Sequence, residues 1–155
     1  MLKTLTILTV KKSKRLFPRH LLREPREVYQ FVKESADLDR EYVFRLDLDT
    51  RNYSTGMEII SIGTLNSTLV HPREFWKGAL LRNASAVVVL HNHPSGNTEP
   101  SPEDVTLTRR LFVAGKILGI DLLDHLIIGP NGYYSFKEHG CMPKKENENQ
   151  EEYDG

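Results

Sequence analysis

The chain has 155 residues, 21 basic and 21 acidic, with 39% hydrophobic and 27% charged residues and a single cysteine. That length suits one soluble domain burying roughly two-thirds of its unfolded surface, and the composition excludes a disordered chain. Cys141 has no partner in the chain, which excludes a disulfide scaffold, and no apolar run approaches the roughly 18 to 20 residues of a membrane span. The leading LTILTV run is too short for a signal-peptide core, so the expected compartment is the cytoplasm.

The zero net charge conceals an asymmetry. Residues 1–23 carry seven basic side chains and no acidic one, while 146–155 carry five acidic side chains and no basic one. The expected organisation is a basic arm over 1–23, a folded domain over 24–140, and an acidic, disordered tail over 141–155. The arm reads either as a nucleic-acid contact or as a solvated lead-in.

Within the domain, Pro25 and Glu27 open a helical stretch with Val28, Phe31 and Val32 on one face. Tyr42 to Leu48 alternates as a half-buried strand, Thr50 to Asn52 turn, and Ser54 to Ile62 returns as a hairpin partner. Pro72 to Arg82 reads as a helix with proline at its first position. Ala86 to Leu90 is apolar and β-branched, the composition of a strand buried on both faces, and it stops at His91. Pro102 to about Leu118 places Leu107, Leu111, Ala114 and Leu118 on one helix face. Asp121 to Ile128 is a further strand, Gly129 to Gly132 a turn, and Tyr133 to Phe136 a short edge strand. Helices interleaved with strands and a hairpin predict an α/β fold, a mixed sheet sandwiched by helices.

The chemistry concentrates in HNHPSGNTEPSPED, His91 to Asp104. Positions two apart on a strand share a face, so His91 and His93 can aim their imidazoles at one point. Ser101, Pro102 and Asp104 have the form of a helix start, and two readings stand side by side. In one, serine and aspartate form a capping box. In the other, the loop carries Asp104 back to the strand mouth as a third metal ligand. Two imidazoles and a carboxylate suit zinc with an open position for water, whose pKa falls to roughly 7 in such sites. A hydrolytic site also needs a base. Glu58, an acid inside the apolar MEII segment, is the candidate, its other reading being a strand glutamate facing solvent. Asp124 and His125 in LLDHLIIG read either as a pair orienting a ligand histidine or as ordinary core groups. Asn92 and Ser95 are polar candidates at the rim whose direction the sequence does not set.

The spacing H-x-H-x7-S-x2-D, with Glu58 upstream, resembles the JAMM motif of MPN+ metallopeptidases. The stretches GTLNSTLVHPREFWKGALLRNASAVVVLHNHPSG (Gly63 to Gly96) and GKILGIDLLDHLIIG (Gly115 to Gly129) resemble the RadC-type JAB domain. This resemblance covers about residues 25 to 137. It implies a cytidine-deaminase-like α/β/α sandwich, one zinc on His91, His93 and Asp104, Glu58 as general base, and Ser101 as hydrogen-bond donor to an oxyanion. It further implies a hydrolase or metalloprotease acting on a peptide or isopeptide bond in a peptide or protein substrate. RadC-like proteins often carry a helix-hairpin-helix module ahead of this domain, and only the basic arm stands in that place here.

A second function stays open: a DNA-associated accessory protein that binds phosphates through the arm, with zinc structural or vestigial. Nucleobase deaminases need a P-C-x-x-C pattern that one cysteine cannot supply, and no HExxH helix is present.

Overall fold

The computed structural model describes residues 17–63 and 70–144. Helix α1 (Pro25–Val32) runs on into a 3-10 turn, Lys33–Ala36. Strands β1 (Tyr42–Leu48) and β2 (Ser54–Ile62) form a hairpin, followed by α2 (Pro72–Leu81), β3 (Ala86–Asn92), α3 (Pro102–Leu118), β4 (Asp121–Gly129) and β5 (Gly132–Ser135). The sheet order is β2-β1-β3-β4-β5. Strands β3 and β4 are parallel and joined through α3, and the other pairs are antiparallel.

The sheet is mixed and covered on both faces, as the element pattern predicts. Val88 and Leu90 of β3 join the core beneath α1, with Phe44, Leu46 and Leu48. Val87 and Val89 face the other way, onto Phe75 and Trp76 of α2 and Leu107 and Leu111 of α3. All seven residues of β3 are buried, and each fully buried Val or Leu contributes about 1.5–3 kcal/mol. Helices α2 and α3 approach so closely that a Cβ at Gly115 would stand 2.6 Å from the Ile120 carbonyl and 2.7 Å from the Trp76 ring. Helix α3 stops at Gly119, whose φ of 71° suits glycine.

Two details depart from the sequence reading. Strand β3 does not stop before His91: it continues through Asn92, because His91 pairs with Val43 and Ile127 and Asn92 with Ile128. The last strand begins one residue earlier than expected, at Gly132, and ends at Ser135, with Phe136 buried beyond it.

Of the basic arm, residues 1–16 lie outside the described residues, as do residues 145–155 of the acidic tail. Residues 17–23 pack against the β1–β2 hairpin: Leu22 is in the core, Leu21 bridges Tyr53, and Arg19 pairs with Asp49 at 2.9 Å. No helix among the described residues is long and apolar enough to cross a membrane.

Candidate metal centre

The pleat sets the first part of the site. Since Val87 and Val89 face α2 and α3, His91 faces them too, at the C-terminal end of β3. The loop after it turns at Gly96, where φ is 80° and the amide donates to the His93 carbonyl. Thr98 of this loop packs on Gly129, so the segment lies over the β4–β5 turn and delivers Ser101 to the start of α3.

There the capping box forms, and the same carboxylate comes to lie beside both histidines. The Ser101 hydroxyl accepts from the Asp104 amide at 3.2 Å and donates to Asp104 Oδ2 at 2.7 Å, while the Ser101 amide donates to the same oxygen at 2.8 Å. The other oxygen, Oδ1, lies 2.8 Å from His91 Nδ1, and Oδ2 lies 3.8 Å from His93 Nε2. The two imidazoles stand edge to face with centroids 4.5 Å apart. The structure therefore brings the three residues of the spacing close together. Burial opposes the charge on Asp104, but hydrogen bonds from His91 and Ser101 outweigh it and hold the carboxyl well below the usual carboxylate range.

Hydrogen bonding also sets the tautomers. The ionised Asp104 can only accept, so His91 donates from Nδ1 and keeps a lone pair on Nε2, a buried atom with no hydrogen-bond partner. His93 Nδ1 lies 2.6 Å from the Asn97 carbonyl, which likewise can only accept, so its Nε2 also keeps a lone pair. A carbonyl or carboxylate on one ring nitrogen with the other left bare is how metal-binding histidines are commonly prepared. Two such imidazoles with a buried carboxylate form a donor set that fits zinc.

The structure does not bring Glu58 to this place. In the register Glu58 is opposite Arg45, and Arg45 is opposite Val89, two residues short of His91. With β1 intervening, the Glu58 backbone is roughly 12 Å from that of His91 by strand spacing and rise. Its carboxylate is held by Arg45 Nη2 at 2.6 Å, and Arg82 stands 3.9 Å away. The acid in the apolar strand has a partner, and that partner is a cation.

Glu41 takes the position instead. It precedes β1, which runs antiparallel to β3, so the start of β1 lies beside the end of β3. Glu41 also shares its face with Val43 and Arg45. Its Oε2 is 4.0 Å from His91 Nε2, and Glu41, His91 and His93 offer ligand atoms all within 4.8 Å of one another. The sequence reading passed over it because an acid just ahead of a strand carries no signal of its own; only the strand order makes it adjacent.

His125 is the other neighbour, and of its two readings the structure realises the core one. Asp124 does not orient its ring: the Asp124 carboxylate accepts from the His125 amide at 2.7 Å, Ser135 Oγ at 2.5 Å and the Lys137 amide at 2.9 Å, tying β4 to β5. The ring bonds Thr108, whose hydroxyl donates to the Asp104 carbonyl at 2.6 Å and lies 2.7 Å from His125 Nδ1. Thr108 has one proton to give, so Nδ1 donates to it and Nε2 is left bare and buried, and one nitrogen of this ring lies within 4.8 Å of ligand atoms of His91 and Asp104.

Burial pushes the His125 pKa down to about 3, against the pull of Asp104. In metal-free protein the unfolded chain protonates this residue near 6.5, whereas the folded chain does so only near 3. Between these values the unfolded state holds more protons, so stability rises with pH. Asp104 acts in the same sense lower down: its contribution is present above the unfolded carboxyl pKa of about 3.9 and is lost as pH falls through its depressed folded value. The urea midpoint of the metal-free protein is thus expected to fall as pH is lowered from about 6.5 to 3, and to fall less steeply in His125→Leu. Equal slopes in the two proteins would remove His125 as the source.

Three similar curated proteins are each named a UPF0758 protein. That of Desulfitobacterium hafniense is 49% identical over 125 residues, 80% of this chain and 55% of its own length. That of Desulforamulus reducens is 51% identical over 125 residues with the same coverage. That of Methanosarcina mazei is 43% identical over 126 residues, 81% of this chain and 55% of its own. The chain spans about half the length of the curated relatives it matches. The RadC-like JAB domain matches residues 22–141, the stretch holding every strand of the sheet and both histidines at its end, and the chain belongs to that family.

Proposed function

We propose that this domain is a zinc-dependent hydrolase of the JAMM type that cleaves a peptide or isopeptide bond, with His91, His93 and Asp104 holding the metal and Glu41 moving the proton. The observation that carries this is that Glu41, His91 and His93 bring ligand atoms within 4.8 Å of one another at one end of the sheet, with the buried Asp104 carboxylate 2.8 Å from His91 Nδ1 and 3.8 Å from His93 Nε2. Zinc bound there would polarise the scissile carbonyl and make a water nucleophilic near neutral pH.

The chain's own groups divide the remaining work. Glu41, about one-third exposed, stands where it can take the proton of the attacking water and return it to the leaving amine. Asp104 holds the His91 tautomer, and the Asn97 carbonyl holds that of His93. Ser101 sits beside Asp104 with a hydroxyl proton that can turn from the carboxylate to a developing oxyanion.

Metal content tests the reading directly. Protein purified without chelator is expected to carry one zinc per chain, and the double variant His91→Ala with His93→Ala none, by elemental mass spectrometry. Wild-type protein that stayed metal-free after zinc was supplied would end the hydrolase reading.

A further inference from the structure

The residue between the two histidines points to the other face of the sheet. Asn92 is fully buried. The backbone ladder between β1 and β3 runs to Val43 opposite His91 and stops there. Beyond it the Asn92 carboxamide takes the place of the next backbone pair. The Tyr42 amide donates to Asn92 Oδ1 at 2.7 Å, and Asn92 Nδ2 donates to the Arg40 carbonyl at 2.9 Å. The captured groups belong to the residues on either side of Glu41. On the opposite edge, the Glu41 carbonyl accepts from the Gly63 amide at 2.8 Å.

We propose that Asn92 is the positioning residue for Glu41, its carboxamide bridging Arg40 and Tyr42 so that the Glu41 side chain is held toward His91. The inference rests on the reading of Glu41 as the group that moves the proton. Its physical basis is that Glu41 stands just ahead of β1, where a strand end would fray. Pinning the peptide units before and after a residue limits its backbone torsions and so the direction of its Cα–Cβ bond. The task needs an acceptor and a donor on one short side chain. Asparagine carries both on separate atoms, aspartate lacks the donor, and a hydroxyl offers both only from a single oxygen nearer the backbone. The same strand thus places the metal-binding imidazoles with its alternate residues and the proton-transfer group with the residue between them.

The test is a double-mutant cycle read by Zn2+ affinity, measured by chelator competition, alongside amide exchange at Tyr42. Asn92→Ala is expected to speed exchange at Tyr42 by about tenfold or more. Glu41→Gln, which removes a negative charge beside the cation, is expected to weaken Zn2+ binding by about tenfold. Asn92→Ala should weaken it several-fold while Glu41 is present, and by less than about twofold in the Glu41→Gln background, the non-additivity of a residue acting through another. An equal loss in both backgrounds, or none in either, overturns the proposal, since Asn92 would then act on the histidines or on nothing at the site. No effect of Glu41→Gln itself overturns the reading of Glu41 and the proposal with it. If Asn92→Ala does not fold, Asn92→Thr, whose single hydroxyl oxygen cannot stand at both the Oδ1 and Nδ2 positions, enters the same cycle and is expected to show the same coupling at smaller size.

Discussion

Glu41→Gln is expected to lower hydrolysis by a factor of about 10² to 10⁴ while zinc remains on the protein, and Glu58→Gln to leave turnover unchanged. Glutamine keeps the shape of glutamate but cannot take up a proton at neutral pH, so the transfer step is lost, while His91, His93 and Asp104 still hold the metal, about tenfold more weakly. Glu58 differs because its carboxylate spends its charge on Arg45, two strands from the histidines. It is about two-fifths exposed, so replacing it should cost no more than about 1 kcal/mol of stability. The comparison requires a peptide or isopeptide substrate found by screening with wild type, zinc content on each variant, and a urea midpoint to show that both fold. Full turnover by Glu41→Gln, or a folded Glu58→Gln that had lost it, would exchange the roles of the two acids and overturn the mechanism.

Arg45→Ala is expected to destabilise the fold by about 3–5 kcal/mol, read as a lowered urea midpoint at unchanged slope. Arg45 and Asp47 are both fully buried, with Nε 2.5 Å from Asp47 Oδ1 and Nη2 3.2 Å from Oδ2. A further guanidinium nitrogen donates to the Phe75 carbonyl of α2, and Nη2 reaches Glu58. Removing the arginine strands Asp47 in the interior with Arg82, at 3.1 Å, as its remaining cation. The arrangement also explains Gly78: a Cβ there would run into the Glu58 carboxylate and the Arg45 guanidinium, so α2 rests directly on the ion cluster. If the loss comes from the stranded charge, Arg45→Met combined with Asp47→Leu should recover much of it, because apolar replacement of a whole buried pair is often nearly neutral. A loss below about 1 kcal/mol for Arg45→Ala would mean that water or Arg82 satisfies Asp47 and that the cluster is not structural.

Much of the fold was legible because it is written in local periodicity. The AVVVL run, buried on both faces as its composition demands, could only be a central strand. Ser101, Pro102 and Asp104 carried a helix start in their side chains, and α3 begins there. That His91, His93 and Asp104 lie together was legible for the same reason: the histidines share a face by the pleat, and a short loop returns Asp104 to them. Where the reading failed, the missing quantity was long-range. Glu58 was chosen for being an acid in an apolar strand, and that oddity is real, but its cause is Arg45. His125 was noticed beside Asp124, its neighbour in sequence, whereas its ring bonds Thr108 of α3. Asn92 was placed at the rim and proved fully buried, reaching across to Arg40 and Tyr42.

By itself the sequence determined which segments are strands and helices, which side chains share a face, and that His91, His93 and Asp104 lie close together, because these depend on torsions and spacings within about a dozen residues. Only the tertiary structure decided which acid stands beside the histidines. The insertion of β1, antiparallel, between β2 and β3 puts Glu41 at His91 and Glu58 at Arg45, and strand order follows from how whole faces of the sheet pack against α1, α2 and α3, not from any residue's immediate neighbours.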